Sequence, residues 1–128
     1  MQIQTILAFD FGTKLIGVAV GNSVIRQAQS LKTIQNKSLD ETFKGIQQLV
    51  KEWEVTHLVV GLPTHPDGAE HDMTNRAKRF GNQLHGRLSL PVIWVDERYT
   101  SATVENKEGD IDSQSAVMIL EQYFSESP

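Results

Sequence analysis

The spacing of apolar positions changes its period part-way along the chain. Residues 6–9 (Ile-Leu-Ala-Phe) form an unbroken apolar run, the pattern of a strand covered on both faces in the middle of a sheet, and Asp10 ends it. Residues 14–20 alternate loosely and are rich in β-branched side chains, so Gly12-Thr13 reads as a hairpin turn. Gly21-Asn22 marks a second turn, and residues 27–34 suit a third, more polar edge strand. Three antiparallel strands are therefore expected to open the fold.

From residue 38 the period becomes helical. Ser38-Leu39-Asp40-Glu41 is a capping box, and Leu39, Phe43, Ile46, Val50 and Trp53 then recur at helical spacing to about Trp53. Residues 57–62 (HLVVGL) make a short apolar strand stopped by Pro63, and residues 63–68 hold two prolines and an Asp-Gly, a firm turn. Met73, Ala77, Phe80, Leu84 and Leu88 lie on one stripe of a further helix, with Arg76, Arg79, Gln83 and Arg87 on an adjacent stripe. Residues 91–95 form another short strand ending in Asp96-Glu97-Arg98. A last helix spans about 112–124, with Ala116, Ile119, Leu120 and Tyr123 inward. Helix alternating with strand implies parallel strands joined by right-handed crossovers. The expected class is α/β: a five-stranded mixed sheet, three strands antiparallel and then two parallel, flanked by helices.

Composition narrows the class. A chain of 128 residues, 22% charged and 39% hydrophobic, suits one globular domain over 1–128. Having no cysteine, it has no disulfide, thiolate metal site or cysteine nucleophile. No apolar run is long enough for a membrane span and no signal-peptide pattern opens the chain, so a cytoplasmic protein without membrane contact is expected. The net charge of -4 argues against nucleic acid, but its distribution does not: residues 73–95 hold four basic residues and no acid, whereas residues 105–128 hold six acids and one lysine. The basic stripe is either a solvated helix face or a phosphate contact.

Three carboxylates fall at element ends: Asp10, Glu97 and Asp112. An aspartate ending a buried strand is costly unless it meets a cation or several N–H donors. Hard divalent cations prefer such oxygens, and two of them can cleave a phosphodiester. Each acid also has an ordinary alternative: Asp10 capping its own turn, Glu97 pairing with Arg98 or a lysine, Asp112 acting as an N-cap. His57, His65, His71 and His85 are scattered, and no Ser-His-Asp spacing is visible.

Four stretches in order, FDFGTKLIGVAVGN (9–22), VVGLPTHPDGAEHDMTNRAKRF (59–80), VDERYTSATVE (95–105) and IDSQSAVMIL (111–120), together resemble the YqgF or RuvX-like family of ribonuclease H-like proteins. The resemblance implies a ribonuclease H-like fold and a metal-dependent nuclease, acting either in 5′ maturation of 16S ribosomal RNA precursor or as a resolvase of Holliday junctions. It matches Asp10, Glu97 and Asp112 to the family's acidic triad, as catalytic residues and ligands of Mg²⁺ or Mn²⁺. Lys14, Arg76, Arg79, Arg87, Arg98 and Thr100 are the expected contacts to structured RNA or branched DNA, in a monomer or weak homodimer. Two departures stand out. Leu15 occupies a position where many members carry a basic residue, and only 14 residues separate Glu97 from Asp112, fewer than the family's longer loop, so that either the loop is lost or a segment is missing between 105 and 112. Two other classes compete: an ATP-binding protein of the actin and sugar-kinase type, since Asp-Phe-Gly-Thr-Lys also resembles their phosphate loop, and a non-catalytic assembly factor that uses the basic helix alone.

Overall fold

The computed structural model describes residues 3–63, 72–97 and 111–126. In chain order its elements are β1 (Thr5–Phe11), β2 (Leu15–Asn22), β3 (Ala28–Gln35), α1 (Leu39–Trp53), β4 (His57–Leu62), α2 (Asp72–Leu88), β5 (Val92–Asp96) and α3 (Ile111–Glu126). The strands form one sheet in the order β3-β2-β1-β4-β5. β1 pairs antiparallel with β2 and parallel with β4; β2 and β3 are antiparallel, β4 and β5 parallel. This is the mixed sheet the alternation of periods implied.

β1 is central because its apolar run serves both faces. Side chains alternate along a strand, so Leu7 and Phe9 point one way and Ile6 and Ala8 the other. On the first face they join Leu58 and Val60 of β4 against Phe43, Ile46 and Leu49 of α1 and Ala77, Phe80 and Leu84 of α2. On the second face Ile6, Ala8, Val59 and Val95 meet Ile119, Leu120 and Phe124 of α3. Full burial of each such side chain stabilises the fold by roughly 1.5–3 kcal/mol. Phe80 is the aromatic hub of the first face, with ring centroids 5.6 Å from Phe9, 4.9 Å from Phe11 and 5.9 Å from Phe43.

Local signals act as the sequence suggested. The Ser38 hydroxyl caps α1 by accepting from the Glu41 N–H at 3.2 Å, and the Lys37 N–H donates to Thr42 Oγ1 at 3.1 Å, steadying the approach to the helix. Three details differ. β1 runs through Asp10, which pairs with Gly17, to Phe11, which pairs with Ile16, because β2 extends the ladder as far; the connection is Gly12-Thr13-Lys14. A Cβ on Gly12 would run into the Leu15 carbonyl oxygen, so this turn needs its glycine. The inward stripe of α1 is Thr42, Phe43, Ile46 and Leu49, which leaves Trp53 at the surface. On α3, Phe124 takes the buried place against Gly21 and Tyr123 is only partly covered. The turn expected at 63–68 lies outside the described residues beyond Pro63.

Phe80→Ala should cost about 3–5 kcal/mol of unfolding free energy, since three aromatic partners would face the void. Chemical denaturation of the two proteins measures this directly, and a loss under about 1 kcal/mol would mean the hub is not where the stability resides.

Candidate active site

Asp10, Gly61 and Glu97 form the site, and strand periodicity brings them together. Asp10 is the next residue after Ile6 and Ala8 in the period-two series of β1, so it belongs to the face covered by α3. Gly61 follows Val59 in β4 in the same way, and Glu97 follows Ile93 and Val95 of β5. The three parallel strands end together, with Phe9 beside Val60 and Gly61 beside Val95. β4 therefore lies between the two acids, and its residue at that level has no side chain. A Cβ there would lie 2.9 Å from Glu97 Cγ and 2.5 Å from Ile119 Cδ1. Glycine leaves the gap across which Glu97 leans toward Asp10.

The two carboxyl groups are joined by a side-chain hydrogen bond, which requires a proton between them. Burial pushes the Glu97 carboxyl up from its ordinary 4.5 to about 8; the charge of Asp10, the hydrogen bond to it and the charge of Asp96 act in the same direction. So close a pair takes up and releases protons as a unit. A partly buried pair of carboxyl groups in contact offers the oxygen donors that a hard divalent cation prefers. Among the described residues, no group of three or more His, Asp or Glu gathers to hold a metal ion.

The third expected acid belongs to α3. Ile119 packs over Gly61 at the carboxyl ends of the strands, while Leu120 and Phe124 meet Gly21, the partner of Ile6 near the other end of β1. α3 thus starts at the acid end of the sheet and runs away from it. Position 112 is two turns before Ile119 on the same helical stripe, and it lies inside the first turn of α3 rather than preceding it as an N-cap would. Its side chain lies outside the described residues, as do Arg98, Thr100, His65, His71 and the short interval before α3.

The basic residues are placed differently from the acids. α2 packs on the opposite face of the sheet, so Arg76, Arg79 and Arg87 are not beside Asp10 and Glu97. Arg76 pairs with Asp72 at 3.0 Å, and Arg87 lies over the Phe43 ring at 4.8 Å. Lys14 is exposed in the turn that follows β1, at the acid end. His57 bonds Thr56 Oγ1 at 2.8 Å and His85 bonds the Leu90 carbonyl at 2.9 Å, both local structural roles. Sequence reasoning missed Gly61 and Asp96; the signal for the first was a glycine inside an apolar strand, which marks a close approach.

A comparison with protein families matches residues 4–126 to the model described as RuvX: Holliday junction resolvase. The chain belongs to the RuvX family. A RuvX relative from Polynucleobacter necessarius is 59% identical over 125 residues, covering 95% of this chain and 85% of its own length. Another, from Paraburkholderia phytofirmans, is 54% identical over 127 residues, covering 94% and 87%. Both carry the name pre-16S rRNA nuclease. Among solved structures, Thermus thermophilus RuvC in complex with Holliday junction substrate is similar with a TM-score of 0.59 at 10% identity, over 94% of this chain and 93% of that one. At that identity the likeness is one of fold, and the fold of this RuvX chain is ribonuclease H-like.

In metal-free protein the folded Glu97 carboxyl binds its proton more tightly than the unfolded chain does. Its contribution to stability is therefore complete below pH 4.5 and lost as pH rises through about 8. Thermal melts in chelator should show Tm falling across that interval, and Glu97→Gln should flatten the fall and raise Tm at its upper end by about 3–5 °C. Identical pH profiles for the two proteins would show that Glu97 does not carry the proton.

Proposed function

We propose that this chain is a divalent-metal-dependent nuclease that hydrolyses phosphodiester bonds in 16S ribosomal RNA precursor, at its 5′ end. The observation that carries the reading is the Asp10–Glu97 pair, two acids from separate strands held in hydrogen-bond contact over Gly61. The name carried by relatives at 59% and 54% identity supports the choice of substrate. Asp10 and Glu97 would hold Mg²⁺ or Mn²⁺, with Asp112 reaching them from the first turn of α3. When bound, one or two such ions supply Lewis-acid activation of the phosphoryl group and ease deprotonation of the attacking water. The chain's own part would be to release the proton shared by Asp10 and Glu97 and to hold the two carboxyl groups together, Asp10 within β1 and Glu97 just after β5. Lys14, Arg76 and Arg79 would hold flanking phosphates, with Arg98 and Thr100 next to Glu97 doing the same nearer the cleaved bond. The whole chain would act as one domain in the cytoplasm, as a monomer or weak homodimer.

A second substrate is favoured by one observation, the description of the matching family model as a Holliday junction resolvase. Incubation of the purified protein with a ribosomal RNA precursor and with a four-way DNA junction, each with and without Mg²⁺, decides between them. A non-catalytic assembly factor would bind both and cut neither. The ATP-binding alternative rested on the stretch after Phe9, which the family match covers.

Asp10→Asn should reduce cleavage by at least about a hundredfold while leaving the fold intact, since one of two crowded like charges is removed. Cleavage at the wild-type rate would remove Asp10 from the metal site. Asp112→Asn should also lose activity with Tm preserved; retained activity would reduce the site to two acids.

Arg76→Ala with Arg79→Ala should flatten the salt dependence of binding by up to about two charges, near 0.9 in slope for each on duplex. Arg87→Ala should mainly cost stability, about 1 kcal/mol, because its guanidinium is stacked on Phe43. Filter binding across a salt series checks the first, and denaturation checks the second.

A further inference from the structure

Between α1 and α2, on the sheet face opposite the acids, lies a cavity of about 430 Å³, within the range of clefts that take small ligands. Its apolar part is Phe11, Phe43 and Phe80, three rings packed on one another. Its polar wall is made of amides, Asn36, Asn75 and Gln83, and its rim carries Arg76 and Arg79 against one acid, Asp72. The Arg76–Asp72 pair is exposed on both sides, and an ion pair of that kind is weak enough for an incoming anion to displace. Arg79 makes no ion pair among the described residues. Rings that stack, amides that both donate and accept, and guanidinium groups at the rim together fit a nucleobase with its phosphate.

The position of the cavity says which nucleotide it would be. Phe11 follows Asp10 directly in β1, so the cavity floor and the candidate active site are adjacent residues pointing to opposite faces at one end of one strand. The wall is also tied to that end: Asn36 Nδ2 donates to the Gly12 carbonyl at 2.9 Å, and its Oδ1 accepts from the Thr42 hydroxyl at 3.5 Å. Such bonds hold the wall in place before a ligand arrives.

We propose that this cavity receives an unpaired base of the substrate strand, close to the phosphate that is cleaved, an assignment that rests on the nuclease reading for the identity of that phosphate. The base stacks on Phe11, the partly exposed ring of the three, Asn75 and Gln83 meet its edge, and Arg76 and Arg79 meet the adjoining phosphates. A strand bound in this way crosses the end of the sheet from one face to the other.

The test uses a labelled single-stranded RNA and a set of the same strand with one abasic position moved stepwise across the cleavage site, bound to the full-length protein in chelator. One abasic position should weaken binding by about tenfold, as loss of a stacked base does. Asn75→Ala with Gln83→Ala, both substitutions outside the core, should weaken binding of the intact strand and lose the sensitivity to that position. Binding that ignores every abasic position, or a double variant that keeps the full sensitivity, overturns the proposal. Titration with free nucleoside monophosphates separates a second source of the same chemistry: saturation by the mononucleotide combined with indifference to abasic strands would assign the cavity to a free nucleotide instead. Abasic sensitivity in a protein that fails to cut with Mg²⁺ would keep the base cavity and remove the nuclease reading, so the two can fail separately.

Discussion

Two carboxylic acids in contact, partly out of water, are an unfavourable arrangement, and most of what is distinctive in this fold serves to maintain it. Left to themselves the side chains of Asp10 and Glu97 would separate into solvent. They cannot, because Asp10 is fixed within β1, which is paired on both sides, because Glu97 directly follows β5, and because α3 covers the face they share. The apolar contacts of Ile6, Ala8, Val59 and Val95 with Ile119, Leu120 and Phe124 supply the stabilisation against which the repulsion is offset. Gly61 sets how close the pair can come. Any side chain there would meet both Ile119 and Glu97, so one missing Cβ couples the packing of α3 to the separation of the acids.

The alternation of a single strand then divides the work of the molecule. Asp10 and Phe11 are neighbours in β1, yet one belongs to the acidic face and the other to the aromatic face beneath α1 and α2. Parallel strands put both at their carboxyl ends, where open α/β sheets generally bind ligands. Arg76 and Arg79 of α2 come to the same end of the sheet as the acids, beside Phe11, with the sheet itself between them. Positive charge next to Glu97 would instead have favoured its ionised form.

How much of this was legible depended on whether the signal was local. The strands at 6–9 and 57–62 and the Ser38 cap could be read because hydrophobic period and capping chemistry are properties of a few consecutive residues. That Asp10 lies inside β1 could not be read, since the ladder is extended by Gly17 and Ile16 on the partner strand. Trp53 and Tyr123 were assigned inward on a fixed period, but the sheet-facing stripe of α1 passes through Leu49, and on α3 the contact with Gly21 selects Phe124. The arginine stripe was correctly a stripe; which face of the sheet it served is a matter of topology, invisible to periodicity. Arg87 looked equivalent to Arg76 and Arg79 until Phe43 on α1 was found beneath it. Gly61 carried the one signal that could have been used and was not, a glycine where an apolar strand should have had a side chain.

The start of a helix is a place from which a further acid can join such a site at low cost. A third carboxylate on a strand beside Asp10 and Glu97 would add its full repulsion to a pair already holding a proton. In the first turn of a helix, an acid is compensated in advance by free backbone N–H groups and the positive end of the helix dipole, worth roughly 0.3–1 kcal/mol. The same compensation would weaken the pull of such an acid on a cation. Because α3 is held to the sheet by Ile119 two turns further on, the approach of position 112 is governed by the packing over Gly61. The separation of Asp10 from Glu97 and the placing of the first turn of α3 are in this way set by one contact, Ile119 over Gly61.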